Sequence, residues 1–398
     1  MQPNEAGDPI ALNSHGMAAL SRHDFAQAAR FFEQAAGLDP TAKVLWINLA
    51  TAQRQLGAEA AERAALDQVL ALDQTDFMAN LRLAQWHERR GESADAAARW
   101  RGVIALAPAV EQRSPELQAL LDHAQTYIAQ EHSALAAVLD SQMKEAIDGA
   151  APSARRRFGA AMDFALGRRS IYANECSGLY YPFLPADEYF DRELFPWFEA
   201  LEGQTEAITE EFLAIYRRPD AGFAPYVKQP AGTPQNRWTQ LDGSTDWSSL
   251  YLWKYGVPNQ PVCDACPATA AAIAAVPSAA LPGRAPTAFF SVLAPHSHIP
   301  PHTGVTNTRT IVHLPLIVPP DCAFRVGGER REWVVGEAFA FDDTIEHEAW
   351  NGSDELRAVL ILDVWNPHLS QEERDLIARF YEVADASGHR PQMLDVSS

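Results

Sequence analysis

Residues 298–319, HIPPHTGVTNTRTIVHLPLIVP, and residues 341–365, FDDTIEHEAWNGSDELRAVLILDVW, decide the reading of this chain. With His296 just upstream they hold five of the twelve histidines: His296, His298, His302, His313 and His347. The surrounding runs TAFFSVLA, TIVHLPLIV, CAFRV, EWVV, AFAF and LRAVLILDVW are rich in β-branched and aromatic residues and are broken by Pro, Gly and Asp. Strands this short and closely spaced predict a β-sandwich or jelly roll rather than βαβ units. His302 follows Pro300–Pro301 at a strand entrance, and His347 follows the Asp342–Asp343 turn. The two are expected to meet where the sheet folds over itself. Neutral imidazoles brought together this way suit Fe, Zn, Cu or Ni. Arg357 opens an apolar strand on which Arg357, Val359, Ile361 and Asp363 share one face by period-two alternation. An arginine there is costly unless a carboxylate meets it. A dicarboxylate co-substrate is one such partner, and Asp363 is another.

The order HTG, VHLPLIVP, FDDTIEHEAW, LRAVLILDVW resembles the aspartyl/asparaginyl β-hydroxylase family. The resemblance covers residues 175–370 and is most specific over 287–367; GLYYPFLPA (178–186) and DWSSLYLWKYG (246–256) resemble the family's upstream segments. It implies a double-stranded β-helix carrying a non-haem Fe(II), 2-oxoglutarate-dependent oxygenase. By the same resemblance His302 and His347 hold the iron. Ser291 and Arg357 bind the far carboxylate of 2-oxoglutarate, and His313 contacts its chelating end. Asp343 orients a water on the metal. Gly304 stands where ordinary enzymes of this type place the carboxylate of a two-histidine, one-carboxylate triad. The family also carries glycine there and works with two histidines and water. Ile311 replaces an arginine of the animal enzymes, and Arg309, two residues earlier on the same strand face, is the candidate to compensate at the co-substrate. The implied reaction hydroxylates a peptidyl Asp or Asn at Cβ and releases succinate and CO2. A free amino acid or a lipid acyl chain is the other substrate class. The alternative is a non-catalytic sensor of metal or 2-oxoglutarate, or a scaffold. His296 and His298 are read as core residues with structural roles.

The first third of the chain is helical and repetitive. Leu38, Leu72 and Leu106 recur every 34 residues, as do Pro40, Gln74 and Pro108, and His23, Gly57 and Gly91 at the turns. Phe32, Leu66 and Trp100 repeat one large apolar position. This period is the tetratricopeptide signature. Three repeats are expected over 9–40, 43–74 and 77–108, with 114–147 as a capping helix. Glu62 breaks the pattern where Ala28 and Ala96 supply a small packing residue. Such arrays present a concave face, so a peptide or protein partner is expected along it. The segment 149–159 marks the boundary, giving a helical domain over 1–148 and a β-domain over 149–398. Residues 218–236 read as an exposed loop, and Trp238, Trp247, Tyr251 and Trp253 as a strand pair. Helix 370–385 opens on a Ser370–Glu373 capping box, and the last dozen residues are expected to be loose.

The net charge of −20 argues against nucleic acid as a partner. No apolar stretch long enough for a signal peptide or membrane anchor is visible, so a cytoplasmic protein is expected. Four cysteines fit no disulfide framework; Cys263 and Cys266 form a single C-x-x-C, read as structural thiols.

Overall fold

A left-handed residue between two helices, small residues where helices cross and a large apolar residue per pair fold the first third into helix hairpins. The computed structural model describes residues 7–107 and 114–387. The pairs are α1 (Pro9–Ser21) with α2 (Phe25–Leu38), α3 (Lys43–Gln55) with α4 (Glu59–Leu72), and α5 (Phe77–Arg89) with α6 (Ser93–Leu106). Asp8, Asp24 and Asp76 cap the first, second and fifth helices through their side chains. The turns pass through His23, Gly57 and Gly91 at φ of 60°, 68° and 70°, a region that favours glycine. Phe32, Leu66 and Trp100 are fully buried at equivalent places. Glu62 is buried as well, and the Arg89 guanidinium donates to its two oxygens at 2.8 and 2.7 Å. The charge at the small-residue position is thus matched by a partner one helix along. The long helix α7 (Pro115–Asp148) lays Leu121 and Ala124 on Trp100 and Val103, closing the open face of the third pair. Pro108 and the expected loose tail from residue 388 lie outside the described residues.

The chain divides into two compact units, Met1–Ala151 and Pro152–Ser398. The second begins with α8 (Pro152–Ala165), which contains the Arg155–Arg157 triplet; Arg156 is held there by Asp187 and Asp191. Two helices separated at Gly203–Gln204 follow, α9 (Phe198–Glu202) and α10 (Thr205–Tyr216). Two short helices follow, α11 (Gln260–Ala265) and α12 (Pro267–Ala274), and α13 (Gln371–Ala386) opens on the Ser370–Glu373 capping box.

Among the described residues eleven strands form two antiparallel sheets. The larger contains β1 (Ala224–Pro225), β2 (Trp247–Lys254), β4 (Ala288–Leu293), β11 (Arg357–Trp365), β6 (Arg309–Ile317) and β9 (Phe339–Phe341) in that order, with β3 (Val257–Pro258) beside β2. The smaller runs β5 (Ser297–His302), β10 (His347–Asn351), β7 (Cys322–Val326), β8 (Glu329–Glu332). Alternation along β11 divides its side chains. Ala358, Leu360, Leu362 and Val364 join Ile208, Phe212 and Ile273 under the helices. Val359 and Ile361 face the other way, towards Trp247, Leu293, Ile299 and Phe324 between the sheets. Burying each large apolar side chain contributes about 1.5–3 kcal/mol, which locks the strand's register.

Three readings need correction. In EWVV only Glu332 belongs to a strand; Trp333 turns inward while Val334 and Val335 are half exposed. Trp238 lies in a turn ahead of β2, not on a strand. His302 ends a strand rather than opening one, because the chain runs extended through Pro300–Pro301. That is tolerated because β5 is an edge strand, where a missing N–H breaks no ladder. Among the described residues no helix is long and apolar enough to cross a membrane. The cysteines are free, and Cys263, Cys266 and Cys322 are buried.

The Glu62–Arg89 pair yields a stability test. Removing one member of a buried pair strands the other, at about 3–5 kcal/mol for a fully buried pair and less here because Arg89 is partly exposed. Arg89→Ala should lower the urea midpoint of the helical signal in circular dichroism, and Glu62→Ala in the same chain should restore much of it. A double variant as unstable as the single one would show that the pairing is incidental.

Candidate active site

The site is assembled by strand pairing. β5 and β10 run antiparallel, with Ala349 opposite Ile299 and His347 opposite His302. From one pair to the next, three residue steps on β5 answer two on β10, a bulge at Pro300–Pro301. The extra residue brings His302 to the same face as His347, with ring centroids 4.1 Å apart. The histidines therefore meet as cross-strand neighbours in one sheet, not across a fold between sheets. Their identical local geometry fixes their chemistry. His302 Nδ1 lies 2.8 Å from the Pro300 carbonyl, and His347 Nδ1 lies 3.0 Å from that of Ile345. A carbonyl only accepts, so each Nδ1 carries the proton and each Nε2 offers a lone pair. Burial pushes His302 down to about 4 and His347 well below its ordinary value. Both rings are neutral at physiological pH, so no proton competes with a metal.

Gly304 and Asp343 complete this end. A Cβ on Gly304 would stand 2.0 Å from Asp343 Oδ2, so the glycine's missing side chain is what gives the carboxylate its place. The Gly304 N–H donates to the Asp343 carbonyl at 2.6 Å. Burial, then the neighbouring Asp342 charge, pushes the Asp343 carboxyl up to about 7. The turn that leads to His347 is braced from behind, where the Asn174 side-chain amide donates to Asp342 at 2.6 Å and to the Thr344 hydroxyl at 2.9 Å. Segment 175–181 is tied to the same loop, with the Gly178 N–H on the Val305 carbonyl and Asn307 bridging the backbone of Tyr181.

The other group of candidate residues lies on the large sheet. Arg357 is buried, and its Nε and Nη1 have no acceptor among the described residues. Burial lowers it to about 9, which leaves it charged at neutral pH. Its guanidinium carbon sits 4.4 Å from the centroid of Trp333. Asp363, the alternative partner, is paired with Arg309 instead. Arg309 is thereby committed to Asp363 and to the Arg284 carbonyl. Ser291, buried on neighbouring β4, accepts from the Trp247 indole at 3.1 Å and keeps its own proton to donate. His313 lies within an aromatic cage of Phe324, Trp333, Phe339 and Phe341, with ring distances of 5.0–5.6 Å. Burial, and then the Arg357 charge, drive its pKa down, and its Nδ1 also lacks a partner. His296 and His298 are not core residues; they face solvent and pair with Asp354 and Glu348.

These residues fit iron and 2-oxoglutarate on the donor set alone. Two fixed Nε2 lone pairs would hold a metal, and buried donors that lack acceptors would hold a carboxylate. Two tryptophans of this region lie in runs that read as strands: Trp333 in EWVV, and Trp238, whose ring meets His302 edge-on at 4.9 Å.

A pair of neutral histidines and a buried arginine thus sit in one two-sheet domain. A profile of the family described as aspartyl/asparaginyl beta-hydroxylase matches residues 202–367. The human aspartyl/asparaginyl beta-hydroxylase is 31% identical over 177 residues, 44% of this chain and 22% of that protein. The ornithine lipid ester-linked acyl 2-hydroxylase of Rhizobium tropici is 32% identical over 197 residues, 48% of this chain and 66% of that protein. The chain thus spans less than two thirds of the length of either relative. The tetratricopeptide domain of Arabidopsis OM64 aligns over 32% of this chain and 98% of that domain, at 18% identity and a TM-score of 0.28. Residues 202–367 are thus a domain of the aspartyl/asparaginyl β-hydroxylase family, with tetratricopeptide-type helix pairs ahead of it in the chain.

The Gly304–Asp343 contact yields a packing test. Gly304→Ala should destabilise the protein by about 1–3 kcal/mol, as overpacking does. Combined with Asp343→Ala it should cost little beyond Asp343→Ala alone. Additive losses in urea melts would mean that the two positions do not share this space.

Proposed function

We propose that the protein is an Fe(II)- and 2-oxoglutarate-dependent oxygenase that hydroxylates a peptidyl Asp or Asn at Cβ, on two sheets arranged as a double-stranded β-helix. The observation that carries this reading is Arg357, a buried guanidinium with unfilled donors, in the same two-sheet domain as two imidazoles whose Nδ1 atoms are held by carbonyls. A charged donor left unsatisfied in an interior is costly, so a resident anion is the economical explanation.

His302 and His347 would hold the iron through Nε2, and Arg357 with Ser291 would take the far carboxylate of 2-oxoglutarate. His313, held neutral, can hydrogen-bond the chelating end without adding charge. The chemistry supplied when both groups are bound is oxidative: O2 and 2-oxoglutarate are consumed, succinate and CO2 are released, and one oxygen atom enters a substrate C–H bond. This chain's residues supply placement and dryness. Asp343, titrating near neutrality in the space above Gly304, can accept from or donate to a water on the metal. Trp238 and Trp247 wall the mouth on the His302 side and exclude bulk water. The peptide substrate class follows the names of the animal relatives; the Rhizobium relative's name makes a lipid acyl chain the competing substrate.

The repeats supply a partner surface in this reading. On α1, α3 and α5 the exposed Ile10, Val44 and Met78 recur at one repeat position. The Asn48 amide donates to Asn13 at 2.9 Å, and Arg82 to the Ile47 carbonyl, along the same helices. Apolar contacts alternating with amide and guanidinium donors suit an extended peptide. The free cysteines suit a reducing, cytoplasmic compartment.

The test is succinate release from 2-oxoglutarate by the iron-loaded full chain, coupled to a peptide gaining one oxygen. His302→Ala and His347→Ala should abolish it. Arg357→Ala should raise the 2-oxoglutarate requirement by roughly ten- to a thousand-fold, for an interaction of about 2–5 kcal/mol. Unchanged dependence on 2-oxoglutarate would remove Arg357 from the co-substrate site. Iron and 2-oxoglutarate binding without turnover would make the protein a sensor.

A further inference from the structure

The geometry points to Trp333 as a further co-substrate-binding residue, its indole N–H donating to the far carboxylate of 2-oxoglutarate beside Arg357. This rests on the oxygenase reading above and assigns that site one more donor.

Four tryptophans are deeply buried: Trp86, Trp100, Trp247 and Trp333. Three of them donate, Trp86 to the Glu59 carbonyl at 3.1 Å, Trp100 to Glu88 at 3.1 Å and Trp247 to Ser291 at 3.1 Å. Trp333 Nε1 alone among these four has no acceptor. Buried indole N–H groups are normally satisfied, so an unpaired one calls for a ligand or a water. Its surroundings favour an anionic ligand. The Arg357 guanidinium lies 4.4 Å from the Trp333 ring centroid, and the His313 ring lies 5.6 Å away. Arg357 Nε and Nη1 and His313 Nδ1 are also without partners. The three residues that carry these unpartnered nitrogens are thus neighbours in the space between the sheets.

Acceptor arithmetic leads to the same place. A carboxylate has about four lone-pair positions. The Arg357 guanidinium can fill up to two, and the Ser291 hydroxyl a third, since its oxygen already accepts from Trp247. One position remains, and Trp333 Nε1 is an unused donor next to the arginine. The local chain turns the indole inward. β8 ends at Glu332, the Gly336 N–H is pinned to the Pro315 carbonyl at 3.0 Å, and Val334 and Val335 are left half exposed while Trp333 is buried.

The test uses Trp333→Phe in the full chain loaded with Mn(II), titrated calorimetrically with 2-oxoglutarate and with 2-oxobutyrate. Phenylalanine keeps a ring beneath Arg357 and removes only the N–H. 2-Oxobutyrate keeps the chelating end and lacks the far carboxylate. The variant should bind 2-oxoglutarate about tenfold or more weakly and bind 2-oxobutyrate as the wild type does. Unchanged 2-oxoglutarate affinity, or an equal loss for both ligands, overturns the assignment. Should the variant not fold, 15N spectra of the wild type decide the matter. 2-Oxoglutarate should shift and protect a buried indole N–H that 2-oxobutyrate leaves alone, and the absence of such a signal overturns the assignment. Wild-type protein that binds neither ligand overturns the oxygenase reading itself.

Discussion

An uncompensated guanidinium between two sheets is the constraint on which the site depends. Arg357 is 2% exposed and still charged at neutral pH. The attraction of the Trp333 face offsets part of its desolvation, but its fork keeps two donors open. A core built only for stability would have paired this arginine, as it pairs Arg309 with Asp363 six residues along the same strand. Arg309 has a carboxylate partner, although its Nε is also unpaired; no carboxylate among the described residues pairs with Arg357.

The rest of the architecture places the two histidines. Antiparallel register alone would not bring His302 to the face of His347; the bulge at Pro300–Pro301 does. The prolines are affordable because β5 is an edge strand. The glycine two residues later leaves room for Asp343, so a carboxylate reaches this end from the turn before β10 instead of from the His302 loop. The two histidines and Asp343 all hang on the small sheet and its turns. Arg357 and Ser291 hang on the large one, and the aromatic layer around Phe324 and Phe341 sets the distance between them.

Much of this was legible in the sequence, and the reasons are specific. The 34-residue period survives because each helix pair must bury the same face on its neighbour, so Phe32, Leu66 and Trp100 recur. Period-two alternation placed Arg357, Val359 and Ile361 on one face because β11 is central and both its faces are buried. What stayed hidden depended on long-range pairing. The bulge that aligns the histidines depends on which strand β5 meets. Proline argues locally against any strand, so residues 297–302 were not read as one. Trp333 was taken for a strand residue because EWVV has a strand's composition; only the fold turns the indole inward and leaves the valines out. His296 and His298 read as core residues because the alternation does not reveal that β5 exposes one face to solvent. The partner of Asp363 was ambiguous too, since Arg309 and Arg357 both share its sheet face.

The most direct measurement is a crystal structure of the full chain grown with Mn(II) and N-oxalylglycine, an inert relative of 2-oxoglutarate. The account predicts one metal on the Nε2 atoms of His302 and His347, with no protein carboxylate in its coordination sphere. It predicts the analogue's far carboxylate on the Arg357 fork. A metal held elsewhere, or Arg357 still without an anion while the analogue is bound in another place, would contradict it.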